Sequence, residues 1–251
     1  MLREKTVFGP IISRRLGVSL GINLLPENGK LCTFDCIYCE CGWNKDGLDD
    51  TTLPSAEKVR NDLEKKLQEL EKQNVKVDSI TFSGDGESTI HPDFPQIVDD
   101  VIALRDKYAP NAKVSVLSNA TQVHRPDVLA ALRKIDNPIM KIDAPTNELI
   151  NKINRPHKGY DVGRVVEALR KFDGDFVLQT MFLRSDDFDS SSRDFLDGWM
   201  AIVRDLKPRE IMVYTIDRPT PAQNLRKFSV EEMQNLIKPL IDEGFKIQIK
   251  G

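Results

Sequence analysis

Leu31-Cys32-Thr33-Phe34-Asp35-Cys36-Ile37-Tyr38-Cys39-Glu40-Cys41 contains all four cysteines of a 251-residue chain. Cys32, Cys36 and Cys39 follow a C-x3-C-x2-C spacing. Thiolates crowded in this way suit a soft metal centre, because iron–sulfur clusters and zinc prefer sulfur ligands. Cys41 lies one residue beyond Cys39, a spacing that strains a shared chelate. A disulfide staple is the competing reading. A chain this long buries enough core without one, and no apolar secretory segment stands before the motif.

On the N-terminal side, Val18 to Leu24 alternates apolar with small or polar residues, which predicts a strand running directly into the cysteine loop. The segment Phe8–Gly17 before it reads as a loop or an entry strand. On the C-terminal side, 43–50 is polar and turn-like. A helix then starts at the N-cap Ser55, with Val59, Leu63, Leu67 and Leu70 at helical spacing to about Gln73.

The alternation continues. Strands are predicted at Val77–Phe82, Val114–Leu117, Pro138–Asp143, Phe176–Phe182, Glu210–Tyr214 and Phe245–Lys250. Helices are predicted at Phe94–Tyr108 (with Ile97, Val101, Ile102 and Leu104 inward), Arg125–Ile135, Thr146–Ile153, Asp161–Phe172 and Ser190–Leu206. A last helix runs from Ser229 to Glu243 with Pro239 as a kink point, after a loop at Asp217–Lys227. Six βα units and a trailing strand imply a parallel sheet with buried, right-handed crossovers. Eight units close a full barrel, so six suggest an open, partial one; a doubly wound sheet has the same periodicity.

Composition excludes some classes. Hydrophobic residues make up 40 % and charged residues 30 %, an ordinary globular mixture with no apolar run near the roughly 20 residues of a membrane span. The expectation is one domain over residues 1–251, cytoplasmic, with no membrane partner and a cluster-binding loop at about 30–42. A formal charge of −3 argues against bulk binding to a phosphate backbone and leaves room for a local basic patch.

Polar residues collect where parallel strands end, the edge at which such folds bind ligands. They are Gly84-Asp85-Gly86-Glu87, Ser118-Asn119, Lys141 with Asp143, Gln179-Thr180 and Tyr214. The metal and this polar ring are expected to face one cavity. Each has a plain alternative: the glycines can simply serve a bend, and Lys141 with Asp143 can be a buried ion pair. His91, His124 and His157 stand singly in loops or the polar crossover, where a solvated ring is the ordinary state. No Ser-His-Asp set or carboxylate pair stands out.

The motif Cys32, Cys36, Tyr38, Cys39, with an aromatic residue just before the third cysteine, resembles the signature of the radical S-adenosylmethionine (radical SAM) superfamily. Gly84-Asp85-Gly86-Glu87 resembles that family's Gly-Gly-Glu motif, with Asp85 replacing or inserted beside a glycine. The six βα units match its partial (β/α)6 parallel barrel. Phe8-Gly9-Pro10 with Ser13–Gly17, Ile153–His157 and Tyr214–Pro219 resemble a compact subgroup described as wyosine-synthase-like or as Fe–S oxidoreductases.

The resemblance implies a [4Fe–4S] cluster on Cys32, Cys36 and Cys39, with Cys41 a bystander. It also implies S-adenosylmethionine on the remaining iron, cleaved to methionine and a 5′-deoxyadenosyl radical that abstracts hydrogen. Gly84, Asp85, Gly86 and Glu87 then hold the methionine amino group, Tyr38 lies near the adenine, and Ser118 and Asn119 take the ribose or carboxylate. Lys141 and Asp143 occupy the place where the pyruvate formate-lyase activating enzyme carries an Asp-Leu-Lys strand, in a different order. Arg155 and Arg218 are candidates for an anionic group on SAM or substrate; Arg14 and Arg15 precede the first strand, on the far side. The implied partners are an electron donor (flavodoxin or ferredoxin) and a substrate that is a tRNA, a partner protein receiving a glycyl radical, or a small molecule. No further cysteines follow for an appended auxiliary-cluster domain. A zinc module on all four cysteines predicts two separated C-x2-C knuckles, which this spacing does not provide.

Overall fold

The computed structural model describes residues 5–13, 16–47 and 50–251; Arg14 and Arg15 lie outside them. The chain packs as two compact units, Met1–Cys32 with Asn44–Ser118 and Arg125–Pro138, and Thr33–Trp43 with Asn119–His124 and Ile139–Gly251.

In the first unit, β1 (Val7–Ser13) lies antiparallel to β2 (Gly17–Ile22), and β2, β3 (Ser79–Phe82) and β4 (Lys113–Ser118) run parallel in chain order. Three helices, α1 (Ala56–Lys72), α2 (Phe94–Tyr108) and α3 (Pro126–Leu132), form the crossovers. Ser55 caps α1 by accepting the Lys58 amide at 3.1 Å. Val59, Leu63, Leu67 and Leu70 are its buried stripe, as their spacing predicts. On α2 the buried residues are Phe94, Ile97, Val98, Val101 and Leu104. Val98 takes the inward position expected of Ile102, which is half-buried. One face of β3 packs Phe82 edge-on against Phe94.

The opposite face of β3 is polar and buried. Ser19 bonds to Thr81, Thr81 to Ser79, and Ser79 to Ser115, at 2.8–3.0 Å; Asn137 donates to Ser115 at 3.2 Å. Hydroxyls that both donate and accept can satisfy one another in such a chain without water. His91 is also buried, correcting the expectation of a solvated ring. Its Nδ1 accepts the Asp93 amide, which fixes the tautomer, so Nε2–H donates to the Pro54 carbonyl at 2.9 Å.

Asp136 closes the base of this unit. It accepts from the Val114 amide at 2.9 Å, Arg105 at 2.8 Å and Lys113 at 3.2 Å. Partial burial raises its pKa, but these donors outweigh burial and hold the carboxyl below the ordinary aspartate value. A depressed folded-state pKa contributes stability above the unfolded value, and that contribution disappears as pH falls through the folded one. Asp136→Asn is therefore expected to cost about 1–3 kcal/mol at neutral pH and progressively less as pH falls below the ordinary aspartate value, read by urea unfolding across that range.

The chain passes to the second unit within β5 (Asn137–Lys141). There β5, β6 (Val177–Met181), β8 (Glu210–Tyr214) and β10 (Ile247–Lys250) are parallel. Their crossovers are α4 (Asn147–Ile153) with α5 (Val162–Arg170), α6 (Arg193–Leu206), and α7 (Val230–Leu236) with α8 (Lys238–Asp242). The predicted helix Ser229–Glu243 is thus two, broken at Ile237, because Pro239 lacks the N–H that continuity needs. Within the predicted loop Asp217–Lys227, β9 (Arg226–Lys227) pairs with β7 (Leu183–Arg184). Trp199, fully buried among Phe182 and Phe195, donates to Thr180 at 3.0 Å. In both units neighbouring parallel strands follow one another without the reversal of a doubly wound sheet.

Candidate active site

In the first unit the cysteine loop is joined to the glycine turn. The Leu31 amide donates to the Asp85 carbonyl at 3.0 Å, and the Glu87 amide donates to the Leu31 carbonyl at 3.1 Å. Leu31, the neighbour of Cys32, is therefore paired like a strand residue with Gly86. This explains the glycines. A Cβ on Gly86, whose φ is +144°, would lie 1.8 Å from the Leu31 carbonyl oxygen, and one on Gly84 would lie 2.1 Å from Asn23 Oδ1. Gly86→Ala is expected to destabilise the protein by about 3 kcal/mol, measured by thermal unfolding of the metal-free chain.

Asp85 is fully buried, and its carboxylate accepts Asn23 Nδ2–H at 3.4 Å. Glu87 is 2 % exposed. One of its oxygens accepts from the Thr89 amide at 3.1 Å and from the Ser118 hydroxyl at 2.9 Å. These bonds fix a carboxylate at the end of β3 and tie it to the end of β4, so the sequence-predicted Gly84–Glu87 and Ser118 form one cluster.

In the second unit Tyr38, Lys141, Asp143 and Asn154 meet. Tyr38 is buried, and its hydroxyl donates to the Asp143 carboxylate. Asp143 also accepts Asn154 Nδ2–H at 2.8 Å and the Met181 amide at 2.9 Å. The Lys141 ammonium donates to Tyr214 at 2.7 Å and to Tyr38 at 3.2 Å, and lies 3.9 Å from Asp143. Instead of a simple ion pair, the predicted residues form a network bridged by phenols. Burial first, then the Asp143 charge, holds the Tyr38 phenol well above the ordinary tyrosine range. Burial opposes the Lys141 charge, but Asp143 and Tyr214 outweigh it, and the ammonium stays above its ordinary value.

Asn154 was not singled out from the sequence. Its amide also donates to Cys36 Sγ at 3.3 Å, and its Oδ1 is buried without a partner. The amides of Asp35 and Ile37 donate to the carbonyls of Asn154 and Ile153 at 2.8 and 2.9 Å, so the cysteine loop lies along the end of α4. Asn in a loop is an ordinary turn signal, which is why sequence alone passed over it.

Asn119 is used locally. Its Oδ1 accepts the Thr121 hydroxyl at 2.8 Å, Thr121 accepts from Thr33 at 2.8 Å, and Asn119 Nδ2–H donates to Thr33 at 2.8 Å. The amide fixes the direction of every proton, which gives a closed ring. Arg155 is exposed, with its guanidinium 4.8 Å from the Trp43 ring centre. Arg218 pairs with Glu40 at 2.6 Å.

No three His, Cys, Asp or Glu side chains gather into a preformed metal site among the described residues. The donors nevertheless suit a soft metal. None of the four cysteines is in a disulfide. Burial pushes the Cys36 thiol up to about 11, partly offset by Lys141. A thiolate there is stable only when a metal cation replaces its proton, and Asn154 supplies the N–H···S bond that supports bound sulfur.

Comparison with known proteins agrees. Residues 29–190 match the model of the radical SAM superfamily. The chain is 30 % identical over 241 residues to the GTPase Obg of Brachyspira hyodysenteriae, covering 94 % of this chain and 34 % of that one. It is 29 % identical over 236 residues to a UPF0026 protein of Methanocaldococcus jannaschii, covering 92 % and 69 %. The chain thus spans about a third of the first relative's length. Among solved structures, a radical SAM methyltransferase from Sphaerobacter thermophilus superposes with a TM-score of 0.67 at 15 % identity, over 92 % of this chain and 65 % of that one. The α/β fold is the partial parallel barrel of that family, and the chain belongs to the radical SAM superfamily.

Proposed function

We propose that Cys32, Cys36 and Cys39 hold a [4Fe–4S] cluster and that Glu87 and Ser118 lead the binding of S-adenosylmethionine. The observation that carries this reading is the pairing of Leu31 with Gly86, which joins the first cysteine's neighbour to the turn bearing Glu87. Bound there, cluster and cofactor would supply one-electron reductive cleavage of a C–S bond and, from it, radical abstraction of hydrogen from substrate. The protein supplies orientation. Cys32, Cys36 and Cys39 would hold the cluster by three thiolates, and the anchored Glu87 carboxylate would accept from the methionine ammonium. Arg155 is the cation for the cofactor's carboxylate. Asn119, with Thr33 and Thr121, sets the loop after Cys32, while Tyr38, Lys141, Asp143 and Asn154 set the loop around Cys36. Flavodoxin or ferredoxin is the electron source. A tRNA base, by the wyosine-synthase-like resemblance, or a glycine of a partner protein receives the radical.

Anaerobic reconstitution with iron and sulfide, dithionite reduction and chromatography for 5′-deoxyadenosine test the reading. A verified cluster with no cleavage of S-adenosylmethionine would sink it. Adding tRNA or candidate partner protein, with mass analysis, then separates the substrates.

A further inference from the structure

Beside the cysteine loop, and wholly within the second unit, lies a cavity of about 410 Å³. That volume suits one small ligand. Thr33 and Thr121, two members of the closed hydroxyl–amide ring, form part of its wall. The His157 amide donates to the Thr33 carbonyl at 3.0 Å, so the segment after α4 is tied to the residue following Cys32. Tyr160 lines the cavity and is set by edge-on contact with Phe34, with ring centres 5.2 Å apart.

The lining combines apolar surface with cations. Lys158 and Arg164 are exposed, line the cavity and form no salt bridge among the described residues. This separates them from their neighbours: Arg170, on the same helix as Arg164, pairs with Asp205 at 2.8 Å, and Lys152 pairs with Glu148 at 3.2 Å. The one acid in the lining, Asp161, is occupied. It accepts the Arg164 amide as the α5 cap at 2.9 Å and Asn147 Nδ2–H at 2.9 Å. His124 places Nδ1 at 2.9 Å from the Thr121 carbonyl, an acceptor, so Nδ1 carries the proton and Nε2 is left as the other hydrogen-bonding atom.

We infer that this cavity binds the phosphate-bearing unit of a nucleotide, with Lys158 and Arg164 on the phosphate and Tyr160 against the base or sugar. A guanidinium and an ammonium that form no salt bridge, Arg164 sharing only the nearby field of the capped Asp161, suit a doubly charged oxyanion. The aromatic ring and the apolar wall of Val165 and Ala168 suit a flat, weakly polar body. The phosphate can come from a free nucleotide or from one nucleotide of an RNA strand. Presenting such a ligand next to the cysteine loop rests on the proposed radical chemistry; the binding itself does not.

The test is calorimetric titration of the full chain, with and without reconstituted cluster, using AMP, adenosine and a short single-stranded oligoribonucleotide. The expected result is saturable binding of AMP or the oligonucleotide, none of adenosine, and a loss of about tenfold or more in Lys158→Glu/Arg164→Glu. Tighter binding of AMP assigns a free nucleotide, and tighter binding of the oligonucleotide an RNA strand. Equal binding of adenosine and AMP, unchanged affinity in the double variant, no binding of either phosphate ligand, or displacement of AMP by saturating S-adenosylmethionine overturns the inference. Because the titration is read without turnover, failure to cleave S-adenosylmethionine leaves its outcome intact.

Discussion

Alanine at Cys32, Cys36 or Cys39 is expected to abolish both the visible iron–sulfur absorbance of the reconstituted protein and its cleavage of S-adenosylmethionine. Alanine at Cys41 should leave both. The reason lies in the backbone. Cys39 N–H donates to the Cys36 carbonyl at 3.1 Å, and Gly42 N–H to the Cys39 carbonyl at 3.0 Å, so two tight turns follow each other. The first has cysteines at both ends, the spacing that lets two sulfurs reach one metal centre. Cys41 lies inside the second turn. Loss of even one thiolate would leave the proposed cluster with an additional open iron, whereas the half-buried Cys36 sulfur without metal simply keeps its proton. Iron content and absorbance after anaerobic reconstitution read the result. Loss of iron in Cys41→Ala would reverse the three-ligand assignment.

Asp143→Ala should destabilise the metal-free protein by about 3–5 kcal/mol. The side chain is fully shielded from solvent and accepts from Tyr38, Asn154 and the Met181 amide. Its removal leaves the Lys141 ammonium, whose side chain is 18 % exposed, without the charge that sustains it. Three donors also lose their acceptor. Chemical denaturation gives the magnitude. The double variant Asp143→Ala/Lys141→Met should recover part of the loss, because the unpaired charge is removed along with its partner. Strict additivity of the two single changes would show that the charges are not coupled.

Much of this protein can be read along the chain, and the residues show why. Ser55 and the Val59–Leu70 stripe announce a helix because caps and the 3.6-residue period involve neighbours only. The alternation of strands and helices follows from the same local rules, and the cysteine spacing identifies the family. A local signal misleads where it meets a partner supplied by the fold. Polar, single His91 reads as solvated, yet Pro54 and Asp93 enclose it. Arg226–Lys227 carries no strand pattern and becomes one only beside Leu183–Arg184.

The candidate site divides in the same way. Sequence alone singled out the candidates for the chemistry: the three thiols, the carboxylate of Glu87, and the polar residues at strand ends. Tertiary structure decided which partners each one meets. Thr33 closes a ring with Thr121, 88 residues away, and Tyr38 reaches Asp143 across 105. Asn154 acquires its place only because the Cys36 sulfur and the Asp143 carboxylate arrive there together. Hydrogen bonds act over about 3 Å of space whatever the separation in sequence. A residue's type and spacing therefore set what it can do, and the fold sets which partner it meets.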